Sequence, residues 1–138
     1  MFCEMANFGT QAHRFLIVDD DPSVSDSLKW LLKADGVEIE TATSGKEALA
    51  RMEKGKFDLI ITDYIMPFMK GDKLAVAIKE REPSCRVIIM TAYYESLKSL
   101  GDSLTGVDSV VMKPFSVQEL RNAIAKALPD QRFLDVVK

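Results

Sequence analysis

Five short apolar runs recur along the chain at a fairly regular interval: Phe15 to Val18, Val37 to Ile39, Phe57 to Ile61, Val87 to Met90 and Val107 to Met112. Each reads as a strand buried on both faces, because a half-exposed strand would alternate apolar and polar residues instead. The segments between them carry helical spacing. In the first, Val24, Leu28, Leu31 and Leu32 fall at i, i+4, i+7 and i+8 and therefore share one face. The second opens on Ser44-Gly45-Lys46-Glu47, which reads as a capping box, and continues through Ala48, Leu49 and Met52. The third follows Gly71 with Leu74, Ala77 and Ile78. The fourth, Glu95 to Leu104, spaces Leu97, Leu100 and Leu104 helically but holds Gly101 inside, at a cost of about 1 kcal/mol against Ala. It is the least stable helix expected. The fifth starts at a second box, Ser116-Val117-Gln118-Glu119, and carries Leu120, Ile124 and Leu128.

Strands that alternate with helices imply right-handed crossovers and a parallel sheet covered on both faces. The expected fold class is therefore α/β, a (βα)5 doubly wound parallel sheet. At 138 residues the chain has the length of one such domain and buries enough surface to need neither disulfides nor a structural metal. The formal charge of −3, with 28% charged and 47% apolar residues, argues against disorder. No Lys/Arg cluster offers a phosphate-binding face, so nucleic acid is not an expected partner of this chain. No apolar run approaches the roughly 20 residues that span a bilayer, and Met1 to His13 lacks the pattern of a signal peptide. The expected compartment is the cytoplasm, with no membrane partner. Cys3 and Cys85 are far apart in sequence and have no companion at metal-ligand spacing, which favours reduced thiols. His13, the only histidine, reads as a solvated residue ahead of the first strand.

The acids carry the functional signal. Asp19, Asp20 and Asp21 follow the first strand and Asp63 follows the third. In an open α/β sheet, ligands bind beyond the carboxyl ends of strands, where strand order reverses. If strands one and three are neighbours, the carboxylates converge and repel, a conflict that a bound cation removes. Oxygen-only ligands with room for water suit Mg²⁺ better than zinc. The same geometric rule adds Thr91 after the fourth strand and Lys113 at the end of the fifth. Clustered acids, a hydroxyl and an ammonium are what handling a phosphoryl group on a carboxylate requires. Any one of these residues alone is as well explained as an ordinary polar strand end; their coincidence is not.

The segments Phe15-Leu16-Ile17-Val18-Asp19-Asp20, Asp58-Leu59-Ile60-Ile61-Thr62-Asp63-Tyr64-Ile65-Met66-Pro67, Val87-Ile88-Ile89-Met90-Thr91-Ala92 and Met112-Lys113-Pro114-Phe115 resemble the receiver domain of two-component response regulators, over residues 14 to 128. The resemblance implies a flavodoxin-like sheet of strand order 2-1-3-4-5, the order of chemotaxis regulators. Residues 1–13 and 129–138 are then tails, the latter too short for an effector domain, so the chain is expected to act alone or as part of a longer regulator or hybrid kinase. The resemblance further implies that Asp63 is the phosphoacceptor, that Asp20 ligates Mg²⁺ directly and Asp19 through water, and that Ile65 offers its backbone carbonyl. Thr91 would bond a phosphoryl oxygen and Lys113 would pair with another. The Lys113–Pro114 bond would be cis, with Pro114 aiming the lysine into the pocket. Asp21 is one acid beyond the usual pair and reads as surface or as the N-terminus of the first helix.

The implied function is a phosphorylation-activated switch of a phosphorelay. A histidine kinase or histidine phosphotransfer protein is the donor, an unidentified protein reads the output, and catalysis is limited to the chain's own phosphotransfer and dephosphorylation. One position departs from the family. Val110 stands three residues before the lysine, where receivers carry a mobile Tyr or Phe, so Tyr93 or Tyr94 is the expected moving aromatic. Ile65 and Tyr93, two past the phosphoacceptor and the threonine, are poor positioners of water and imply slow dephosphorylation. An aspartyl-phosphate phosphatase would need an acid at position 65. A flavin module would need a phosphate loop where Asp19-Asp20-Asp21-Pro22 stands. A receiver-shaped scaffold is the remaining alternative.

Overall fold

The computed structural model describes residues 13–33, 36–92 and 104–128. Along the chain these form β1 (Arg14–Val18), α1 (Pro22–Lys33), β2 (Glu38–Ala42), α2 (Gly45–Lys54), β3 (Leu59–Asp63), α3 (Gly71–Arg81), β4 (Arg86–Thr91), β5 (Ser109–Met112) and α4 (Val117–Ala127). Here α4 is the helix expected as the fifth. The segment expected as the fourth lies outside the described residues except for Leu104, as do Tyr93, Tyr94, Cys3 and both tails beyond His13 and Leu128. All strand pairings are parallel, in the order β2-β1-β3-β4-β5.

Alternation along each strand divides the apolar side chains between two layers. Phe15 and Ile17 of β1, Leu59 and Ile61 of β3, and Ile88 and Met90 of β4 face α1 and α4, where Leu28, Leu32, Leu120 and Ile124 close over them. Leu16, Val18, Ile60 and Val87 point the other way and meet Ala48 of α2 with Leu74, Ala75 and Ile78 of α3. Each of these strand residues is fully buried, which is why three of the five strands read as unbroken apolar runs.

Several local expectations need correction. The second run was expected over Val37 to Ile39, but β2 occupies Glu38–Ala42. It is an edge strand whose Glu38, Ile39, Glu40 and Thr41 remain partly or fully exposed, so burial wrote no continuous apolar signal there. Phe57 and Val107 precede their strands and pack from loops. On α3 it is Ala75 that is buried, and Ala77 is only half-buried. The Ser44 box is half formed. Ser44 caps Glu47 N–H, but the Glu47 carboxylate accepts from the N–H and hydroxyl of Thr43, one residue earlier than the box requires. The Ser116 box is complete, with Glu119 accepting from Ser116 N–H and Ser116 from Glu119 N–H. His13 is not simply solvated. Its carbonyl accepts from Glu38 N–H, which draws it onto the end of β1, where Nδ1 lies 3.6 Å from the Asp58 carboxylate and the ring stacks on Phe15.

Cys85 is a free, buried thiol whose pKa burial pushes up to about 12, so it stays protonated and unreactive. Among the described residues, no helix is long and apolar enough to cross a membrane.

Candidate functional site

The ends of β1, β3, β4 and β5 meet at one edge of the sheet because the strands are parallel and closely in register. Val18 pairs with Thr62, Asp63 with Met90 and Thr91 with Met112. Asp19 leaves β1 at that edge and is held by two backbone links: its N–H donates to Ala42 carbonyl, and its Oδ1 accepts from Asp21 N–H at 2.9 Å. Asp63 and Thr91 are the last residues of β3 and β4 rather than the first after them. Lys113 follows β5, and its N–H donates to Thr91 carbonyl at 2.8 Å, tying the two together through the main chain. The Lys113–Pro114 bond is cis.

Carboxylate oxygens of Asp19, Asp20 and Asp63 lie within 4.8 Å of one another. Lys113 Nζ stands 3.5 Å from Asp19 Oδ2 and 3.5 Å from Asp63 Oδ2, the distance of an ion pair rather than of a tight hydrogen bond. Asp19 is only 1% exposed, and its Oδ2 is buried with no hydrogen-bond partner. Burial accordingly raises its pKa, and the neighbouring Asp63 charge adds to that rise. The Asp21 N–H bond and the Lys113 ammonium oppose it. A desolvated carboxylate that shares one ammonium with a second acid, with a third carboxylate close by, leaves an excess of negative charge that fits a hard divalent cation, and a donor set made only of oxygen suits Mg²⁺.

Asp21 is not part of this cluster. Its carboxylate accepts from the N–H and hydroxyl of Ser23, bonds that lower its pKa, and Pro22 at the first helical position suits the start of α1. Thr91 is 1% exposed at the neighbouring strand end. Ile65, on the loop after β3, has an exposed side chain.

Two features of that loop escaped the sequence reading. Phe68 is fully exposed and holds a left-handed backbone at φ 71°, which costs a non-glycine residue roughly 1–2 kcal/mol. Tyr64 is buried against Ile89, with Leu104, Val107 and Val110 packed on the pair. The half-buried Val110, paired with Ile89 across the sheet, thus belongs to the same small cluster as an aromatic ring contributed by the residue that follows Asp63. Position 64 could have been read as turned to the opposite face from Asp63 by the strand period.

The sequence profile of the response regulator receiver domain matches residues 15–125. Similar proteins include the phosphate regulon transcriptional regulatory protein PhoB of Rhizobium meliloti, 33% identical over 78% of this chain and 48% of its own length. The alkaline phosphatase synthesis transcriptional regulatory protein PhoP of Bacillus subtilis is 34% identical over 83% of this chain and 48% of its own. The chain therefore spans about half the length of these curated relatives. Among solved structures, the response regulator TrrA of Thermotoga maritima in complex with Mg(2+)-BeF is 36% identical, with a TM-score of 0.76 over 84% of this chain and 99% of that one. The chemotaxis response regulator CheY4 of Vibrio cholerae is 30% identical, with a TM-score of 0.77 over 86% of this chain and all of that one. This chain belongs to the receiver domain family of two-component response regulators. Receiver domains of response regulators are phosphorylated by histidine kinases.

Proposed function

We propose that Asp63 of this chain accepts a phosphoryl group from a histidine kinase or histidine phosphotransfer protein, and that the phosphorylated chain signals through its altered surface in the cytoplasm. The observation that carries this reading is the convergence of three carboxylates and one ammonium at the carboxyl edge of the sheet. Asp63 attacks phosphorus, the phosphorus–nitrogen bond of the phosphohistidine breaks, and its electron pair returns to the imidazole, leaving an acyl phosphate on Asp63. Lys113 pairs with the carboxylate before transfer and with a phosphoryl oxygen after it, and Thr91 donates its hydroxyl to another. Asp19, Asp20, Asp63 and the Ile65 carbonyl would hold Mg²⁺. When bound, the ion neutralises charge on the carboxylates and on the phosphoryl oxygens. The chain is in this reading a switch and not a metabolic enzyme. The phosphatase alternative lacks an acid at Ile65.

Incubating the chain with acetyl phosphate and Mg²⁺ should add one phosphoryl group by intact mass. Asp63→Asn and excess chelator should each abolish the gain; undiminished labelling in either would overturn the assignment.

The lifetime of the product follows from the mouth of the site. Ile65 is 44% exposed there, and a β-branched aliphatic side chain orients no water. Ile65→Asn together with Tyr93→Glu should accelerate hydrolysis of the acyl phosphate roughly tenfold, or about 1.4 kcal/mol in the barrier. Decay followed by phosphate release is the measurement, and an unchanged rate with phosphorylation intact would remove both positions from control of water access.

A further inference from the structure

Gly71, the first residue of α3, lies against the backbone of the proposed phosphoacceptor. A Cβ at position 71 would stand 2.6 Å from the Asp63 carbonyl oxygen, 3.0 Å from Tyr64 Cα and 3.3 Å from the Asp63 carbonyl carbon. These are main-chain atoms, so no side-chain rotation makes room. The Asp63–Tyr64 peptide is pegged on its remaining sides. The Asp63 carbonyl accepts from Thr62 Oγ1 at 3.0 Å and Tyr64 N–H donates to Met90 carbonyl at 2.9 Å, while the carbonyl of the next peptide, that of Tyr64, accepts from Gly71 N–H at 2.9 Å.

We propose that Gly71 is a positioning residue for phosphorylation, its missing side chain letting the start of α3 press on the Asp63 peptide and hold the Asp63 carboxylate in register with Asp19 and Asp20. This rests on the reading of Asp63 as phosphoacceptor. Any side chain at 71 must push α3 outward or shift the Asp63 peptide, and either moves the Asp63 carboxylate against two acids fixed separately at the end of β1. Misplacement of a reacting group by about 1 Å can cost roughly a hundredfold in rate.

The molecule supplies its own control. Gly45 is likewise the first residue of a helix, α2, and a Cβ there would also be too close, at 2.8 Å. Its neighbours, however, are side-chain atoms of Met69, with Sδ the nearest and Cβ and Cγ at 3.3 and 3.4 Å, so the flexible thioether can swing aside and the remaining contacts need a shift of only a few tenths of an ångström. Gly71→Ala and Gly45→Ala gain the same helix propensity but meet backbone in one case and a movable side chain in the other.

In the full chain, phosphorylation by acetyl phosphate should slow roughly tenfold to a hundredfold in Gly71→Ala, per folded molecule, and its half-saturating Mg²⁺ concentration should rise. Gly45→Ala should match the parent in both. Wild-type rate and Mg²⁺ dependence in folded Gly71→Ala would overturn the proposal, even if its stability falls, since that pattern is structural alone. Should Gly71→Ala not fold, the unsubstituted chain decides: Mg²⁺ should shift the Gly71 amide resonance and slow its exchange while leaving the Gly45 amide in place. Equal responses at the two glycines would overturn the proposal. Absence of any phosphorylation in the parent would instead sink the role of Asp63 itself.

Discussion

Asp20→Asn is expected to be the more stable protein without magnesium and the less stable one with it. Three carboxylates share a space under 4.8 Å across, with one lysine between two of them. Asp20 is the exposed member and makes no pairing with Lys113 among the described contacts, so its neutralisation removes repulsion while sacrificing little. A pair of like charges about 4 Å apart in water-like surroundings costs roughly 1 kcal/mol, and the gain in unfolding free energy should be of that order at low salt. Added Mg²⁺ stabilises the parent by mass action, increasingly as its concentration passes the dissociation constant, and should do much less for the variant. Urea melts of both proteins with and without Mg²⁺ measure the crossover. Parallel curves that never cross would mean that the acids hold no cation. Phosphorylation by acetyl phosphate should fall about a hundredfold in the variant, close to 2.7 kcal/mol in the barrier.

The second large effect contrasts two neighbours on α1. Leu32 is fully buried in the layer beneath α1, whereas Trp30 is 78% exposed. Leu32→Ala leaves a cavity in that apolar layer and should cost about 2–5 kcal/mol, the usual range for such truncations. Trp30→Ala removes the larger side chain yet should change stability by less than about 0.5 kcal/mol. Denaturant unfolding of both variants is the check. A costly Trp30→Ala would show that the ring is covered in solution.

How much the sequence disclosed followed burial. β1, β3 and β4 lie inside the sheet and wrote themselves as apolar runs, and with them came the positions of Asp19, Asp63 and Thr91 at the carboxyl edge. β2 lies at an edge, where Glu38 and Glu40 face partners such as Arg14 and Arg51 instead of a core, and its limits were misread for that reason. Capping signals are local, but their partners are not always the expected ones. Glu47 had a choice between two adjacent N–H groups and took that of Thr43, whose hydroxyl adds a second bond. What could not be read at all were relations between backbone segments distant in sequence: the approach of Gly71 to Asp63, and the gathering of Tyr64 and Val110 into one cluster around Ile89. A resemblance supplied the roles of the site residues; only the fold supplied their distances.

The alternation that splits β1 into Phe15 and Ile17 on one side and Leu16 and Val18 on the other makes the sheet a partition. Among the described residues the core beneath α1 and α4 and the core beneath α2 and α3 form separate apolar clusters, so paired changes at well-separated positions across the sheet should add with little coupling. A lineage of such chains can therefore rewrite the helices on one side to suit a new interlocutor while the opposite side drifts on its own schedule. Only the carboxyl edge, which both sides border, binds the two histories together.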